Sequence, residues 1–204
     1  MVGSFKELKK LFPAKKISLT IVDEKYSDIQ EFKRNLPDLL YPLDSKLDYS
    51  IGLVVKLASA GIGINYETKE KRIAKSKIFL SGLGADELFF GYERYKNYYF
   101  ESTEKLIEEA FIDRERSWVR NLARDDRIIS TQEKELRLPY FHKELWDFVV
   151  NIPAEYNVSF ICRDEINSFR SKLILRNLAK DKGLMTCSVY IKKRVKFNSM
   201  GELP

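Results

Sequence analysis

The residues best placed to do chemistry lie between Lys77 and Tyr92, in KIFLSGLGADELFFGY. The apolar run Ile78 to Leu80 has strand character and is too brief for a helix. It breaks at Ser81-Gly82-Leu83-Gly84, where two glycines let the backbone turn sharply and approach a ligand closely. Asp86 and Glu87 then open a helical segment. Strand, glycine turn and helix N-terminus together make a place where converging backbone N–H groups hold phosphates or metal-bound phosphates. Two readings of the carboxylates stay open. Acidic side chains in a first helical turn are favoured by about 0.3–1 kcal/mol through the helix dipole, which is simple capping. The other reading is ligation of a magnesium ion that carries the phosphates.

The surrounding elements must position that turn. Ser4-x-x-Glu7 has the pattern of a capping box and predicts a helix to about Phe12, ended by Pro13. Ile17, Leu19 and Ile21 alternate with smaller or polar residues and predict a strand over 16–22. A second capping pattern at Ser27 predicts a helix to about Leu36, and Pro37 and Pro42 bracket a loop. Asp48 or Ser50 caps an apolar helix, Ile51 to Ala60, closed by Gly61 and Gly63. A charged connector, Tyr66 to Lys77, leads into the Ile78–Leu80 strand.

Past Tyr92 the pattern predicts helices and no further strand. They span 104–124 behind Ser102 or Thr103, 143–151 stopped by Pro153, and 165–182 stopped by Gly183. In the first of these Leu106, Ile107, Ala110, Phe111, Trp118 and Leu122 recur at helical spacing. Tyr95, Tyr98, Tyr99 and Phe100 read as core, not as a base-stacking platform. The fold class is α/β, a small parallel sheet covered by helices with a mainly helical C-terminal half.

At 204 residues, 44% hydrophobic and 32% charged, the chain reads as one globular domain with a real core, residues 1–204. Nothing approaches the ~18 consecutive apolar residues of a membrane span. MVGSFKELKK lacks the apolar core of a secretory signal, and Cys162 and Cys187 do not make a disulfide framework. The default location is cytoplasmic, or nuclear. The net charge of +6 is spread over runs such as KEKRIAKSK and KKRVK. These read as solvated faces, since no aromatics interleave with them as nucleic-acid binding would want.

SGLGADELFFGYERY resembles the SGEGADELFGGY signature of the synthetase domain of glutamine-dependent asparagine synthetases. RNLARDDRIISTQEKELRLPYFHKELWDFV is similar to that family's stretch ending in E-x-R-x-P-F-L-D, with Glu135, Arg137, Pro139 and Phe141 in matching places. LLYPLDSKLDYSIGLVVKLASAGIG and KLILRNLA look closest to the asparagine synthetase domain-containing branch. The similarity covers roughly residues 5 to 199. It implies an adenine-nucleotide-hydrolase-like sheet, ATP and magnesium as cofactors, and AMP-forming amide ligation in asparagine biosynthesis. It implies Ser81, Gly82 and Gly84 as nucleotide contacts and Asp86 as the magnesium ligand. A catalytic lysine of the family falls at Arg194, with Lys193 beside it.

The departures from the family pattern shape the expected mechanism. No Ser-Gly-Gly-x-Asp-Ser loop occurs, so the pyrophosphate loop and the first strands of the sheet are expected to be missing. Val2 stands where a mature glutaminase exposes its cysteine, so glutamine hydrolysis is not expected. Leu83 replaces a glutamate credited with acid–base work, a contribution of typically ~10²–10⁴-fold. His142 replaces an aspartate and reads as a surface or capping residue. The expectation is a degenerate synthetase-like domain. The alternative is a scaffold whose incomplete sheet is covered by a protein partner or by a second copy. An in-frame SGGxDS upstream of Met1 would restore the enzyme reading.

Overall fold

Helix α1 (Val2–Leu11) opens at Met1, whose carbonyl accepts from Phe5 N, so Ser4 lies inside the helix instead of capping it. The computed structural model describes residues 1–24, 30–42, 45–163 and 166–189. After α1 come β1 (Thr20–Ile21), a short piece of the predicted strand, then α2 (Gln30–Arg34) and α3 (Leu36–Leu40). Helix α3 replaces the loop predicted between Pro37 and Pro42. Pro37 falls in its first turn, where a missing N–H costs nothing, and helical spacing buries both Leu36 and Leu40. Arg127 donates to the carbonyls of Leu39 and Tyr41 at 2.8 and 2.9 Å, satisfying acceptors the helix end leaves over.

Helix α4 (Lys46–Ala60) starts earlier than predicted because Ser45 is its N-cap, its Oγ accepting from Asp48 N at 3.0 Å. Gly61 closes it in the left-handed region, φ 67°, as the sequence implies. The predicted connector instead holds β3 (Lys71–Ile73), which pairs antiparallel with β2 (Ile62–Asn65) just before it, Ile62 opposite Ile73. Strand β1 joins β2 antiparallel, Thr20 opposite Asn65. A Cβ on Gly63 would sit 2.2 Å from Ile21 O, so this close approach needs glycine.

The predicted central strand is present as β4 (Ile78–Leu80). It is followed by α5 (Ala85–Leu88), α6 (Tyr95–Glu101) and α7 (Thr103–Ser117), the last capped by Ser102. A π turn (Trp118–Leu122) leads to α8 (Ala123–Ser130), so the helix predicted over 104–124 is interrupted. Then come β5 (Glu135–Arg137), α9 (Lys143–Val150), β6 (Ser159–Arg163), β7 (Ile166–Arg170), α10 (Leu173–Asp181) and α11 (Met185–Val189). Strands β5, β6 and β7 correct the expectation of no strand past Tyr92. The β6–β7 hairpin, with Phe160 opposite Phe169, replaces the first third of the helix predicted at 165–182. The fold is mixed α/β with small sheets. β4 and β5 form the parallel pair, with Glu135 N donating to Lys77 O at 2.8 Å.

The elements group into two units. One comprises Met1–Phe79 and Leu122–Arg137, and Leu36, Leu40, Leu53 and Ile128 form its buried core. A Cβ on Gly52 would lie 2.8 Å from Leu40 Cδ2, which shows how tightly α4 meets α3. The other comprises Leu80–Asn121 and residues 138–189. One of its cores gathers Phe90, Tyr95, Leu106, Ala110, Ala154 and Val158, with Tyr98 and Tyr99 packed against it. Another gathers Leu88, Phe89 and Val149, with Tyr140 and Trp146 alongside. Tyr95 is therefore core as predicted, whereas Phe100, Ile107, Phe111 and Trp118 are exposed.

Candidate functional site

In the second unit, the turn after β4 is held by short-range bonds. Ser81 Oγ accepts from Leu83 N at 3.2 Å, and Gly82 O accepts from Ala85 N at 3.3 Å. Gly84 caps α5 at φ 96°, and a Cβ there would lie 2.7 Å from the Phe141 ring and 3.0 Å from Tyr140 Cβ. Conformation and packing both demand glycine. Phe141 in turn stacks on Trp146 with centroids 5.2 Å apart. The Pro139–Phe141 turn from the second sequence motif thus buttresses the glycine turn of the first. Gly82 differs from Gly84. It is exposed, lies outside the positive-φ region, and a Cβ there would meet nothing within 4 Å.

The two carboxylates of the signature separate. Glu87 turns inward and is buried, its Oε1 accepting from Tyr92 OH at 2.5 Å and Asn121 Nδ2 at 2.9 Å. Arg114 Nε donates to the Glu87 carbonyl at 3.2 Å. Burial, reinforced by the Glu87 charge, raises the Tyr92 phenol well above its ordinary value of 10.0. This network fastens α5 to its own unit.

Asp86 faces outward, 3.0 Å from Lys172 Nζ, and both side chains are about a quarter exposed at 26% and 22%. Gly91 closes the pair in: its N–H donates to Asp86 O at 2.8 Å. A Cβ on Gly91 would lie 2.0 Å from Asp86 Oδ1 and 2.2 Å from Lys172 Cε. Lys172 sits at φ 59°, its N–H donating to Phe89 O at 3.1 Å, and Leu173 N donates to Asn157 O at 3.0 Å. Sequence reasoning missed Lys172. Its signal was the KLILRNLA segment, but nothing in local spacing tied that segment to Asp86.

The remaining sequence-predicted residues distribute as follows. Lys193 and Arg194 lie outside the described residues. Leu83 is half-buried and has no group that can carry a proton. His142 is exposed at the N-cap of α9 and makes no side-chain cap bond. In the first unit Glu135 and Arg137 form an exposed ion pair at 2.9 Å. Among the described residues no three His, Cys, Asp or Glu side chains converge on a metal position. Magnesium is usually held by one or two carboxylates plus phosphates. The outward carboxylate of the signature, Asp86, is paired with Lys172. No described helix is long and apolar enough to cross a membrane.

The family model described as asparagine synthase matches residues 24–119 and 98–198. The chain is 34% identical over 201 residues to asparagine synthetase domain-containing protein 1 of Gallus gallus, covering 97% of this chain and 31% of that protein. The human protein of the same name is 31% identical over 201 residues, again covering 97% and 31%. An asparagine synthetase domain-containing protein of Saccharomyces cerevisiae is 32% identical over 182 residues, covering 87% of this chain and 32% of its own length. The chain spans about a third of the length of these curated relatives.

Proposed function

Because the chain belongs to the asparagine synthase family, we propose that it is a synthetase-derived interaction module in which ATP-dependent, AMP-forming amide ligation is degenerate. The observation that carries this reading is the Asp86–Lys172 pair, closed in by Gly91. To ligate magnesium Asp86 must exchange its lysine for the metal, and among the described residues no group of three or more His, Cys, Asp or Glu side chains is gathered to hold one. Leu83, standing where the family pattern has its proton-transferring glutamate, points the same way.

Exposed strand positions support the interaction half of the reading. Ile78 and Leu80 of β4 are 55% and 70% exposed, and Ile62, Ile64 and Ile73 of the β2–β3 hairpin 46–64%. Parallel strands are normally covered on both faces. A partner protein, a second copy of this chain or a further segment completing a nucleotide-hydrolase-like sheet would supply that cover. A cytoplasmic or nuclear setting belongs to the same proposal.

The test is a thermal melt of the 204-residue chain with ATP, with and without magnesium, beside Asp86→Asn. A cooperative melt that nucleotide leaves unmoved is the expected result. Ligand at ~100 times its dissociation constant would add about 2.7 kcal/mol. A magnesium-dependent rise of that size, lost in Asp86→Asn, overturns the reading.

One observation favours a second reading, a retained nucleotide site. Neither conformation nor packing accounts for Gly82, and close approach of a phosphate to the backbone would. On this reading Ser81 and Gly82 line the phosphates and the Lys172 ammonium meets them, with Arg194 or Lys193 as a further cation. The same melts separate the two readings.

A further inference from the structure

We propose that the outer face of α7 docks an amphipathic helix of a partner protein whose polar edge carries lysine or arginine. The inference does not depend on how the glycine turn is read. Leu106, Ala110, Asp113 and Ser117 are the buried side of α7. At ~100° per residue Ile107, Phe111 and Trp118 fall within about 40° of one another on a different side. They are 46%, 58% and 65% exposed. Glu104, Glu108 and Glu115 are exposed and lie along one edge of this stripe, within about 100° of Ile107. The other edge leads back into the core through half-buried Arg114, whose Nε is turned inward to the Glu87 carbonyl at 3.2 Å, so the exposed rim of the stripe is acidic. Arg116 and Arg120 project from the far side of the helix, and Lys105 is turned to Glu108 and Glu109 at 3.0 and 3.6 Å.

Charge chooses among occupants. A twofold, antiparallel pairing of two copies through this stripe sets glutamate rim against glutamate rim, which like charges disfavour. Anionic lipid and nucleic-acid phosphates are repelled by the same rim. A helix with apolar anchors at i, i+4 and i+7 and a basic edge fills the stripe and matches the rim at once. Tryptophan and phenylalanine are residue types on which such interfaces concentrate their energy.

The test uses the full chain carrying Trp146→Phe, which leaves Trp118 as the one indole. It is titrated with an ~18-residue amphipathic helical peptide of leucine and lysine, and with its twin of leucine and glutamate. The expected result is a saturable blue shift of Trp118 emission with the lysine peptide, and at least ~10-fold weaker binding of the glutamate peptide. Phe111→Ser should weaken the lysine peptide at least ~10-fold, and the triple variant Glu104→Lys, Glu108→Lys, Glu115→Lys should reverse the preference. All four positions are exposed, and a melt of each variant checks that it is folded. Equal response to both peptides, or none to either, overturns the proposal. So does a Trp118 shift that follows the chain's own concentration, which assigns the face to a second copy, or one produced by phosphatidylserine vesicles.

Discussion

Two charge clusters in this molecule have the same chemistry and different depth. In the first unit Arg124 is 2% exposed, with Nε 2.8 Å from Asp125 and a terminal nitrogen 2.9 Å from Asp48, each carboxylate 7% exposed. In the second unit Asp86 and Lys172 meet at 3.0 Å, with about a quarter of each side chain open to water. Buried charges lose their hydration and survive only as a complete set, which makes the arginine cluster part of the fold's framework. The half-open pair keeps some hydration and can be exchanged for another partner at modest cost. Depth, and not residue type, separates the structural charges from those that could meet a ligand.

The largest effect that tests this contrast is removal of the buried cation. Arg124→Met leaves two buried carboxylates without their cation, Asp48 keeping only the Ser45 hydroxyl, and should lower stability by about 3–5 kcal/mol in a urea melt. Against a typical total of about 5–15 kcal/mol, that is a large share of the fold's stability. Lys172→Met should cost about 1 kcal/mol or less. If the two variants lose stability equally, the contrast fails.

Next comes Gly91→Ala, whose new methyl overlaps both members of the half-open pair. Its neighbours are side-chain ends that can swing aside, so the expected loss is about 1–3 kcal/mol, taken through the broken pair. In an Asp86→Ala background the same substitution should cost less, with a coupling of at least about 0.5 kcal/mol. Strict additivity would show that Gly91 serves something other than the pair.

A smaller effect appears in the pH dependence of the buried cluster. Desolvation holds the Asp125 carboxyl above its ordinary 3.8, with the neighbouring Asp48 charge adding to the rise and Arg124 opposing it. The native state therefore binds this proton more tightly than the unfolded chain. Stability from this group is greatest below 3.8 and is lost as pH rises through the folded value. Melts from about pH 4 to 7 should show that falling component in the parent chain and not in Asp125→Asn. An identical slope in both would remove Asp125 from the account.

What the sequence revealed follows the reach of its signals. Helix ends marked by Gly61, by Ser102 and by Pro153 were legible because caps and breakers act within a turn. The Ile78–Leu80 strand and the Gly84 turn were legible for the same reason. The β2–β3 hairpin was hidden because Lys71 and Arg72 disguise a strand as a charged connector, and its register depends on long-range pairing. Helix α3 was hidden because Pro37 reads as a breaker unless it is known to sit in the first turn. On α7 the apolar periodicity was real, but Ile107, Phe111 and Trp118 face outward, a distinction that periodicity cannot make. At the site, Asp86 was legible through its motif. Lys172, Asn121 and the buttress of Phe141 were not, because each reaches the signature only through tertiary packing.

The smallest expected effect is the most informative about the half-open site. Gly82→Ala places a methyl where no atom lies within 4 Å, on a residue whose backbone is outside the positive-φ region. The loss of unfolded-state freedom should leave the chain unchanged or more stable by about 0.4–1 kcal/mol. Gly84→Ala, at φ 96° and against the Phe141 ring, should be destabilising. If Gly82 serves only the turn, the two alanine variants differ in stability alone and nucleotide moves neither melt. If the parent chain gains stability from ATP, Gly82→Ala should lose that gain while keeping its own melting temperature, because the methyl obstructs a ligand and not the fold. That split would transfer the half-open pair from the structural to the ligand-binding side of the comparison.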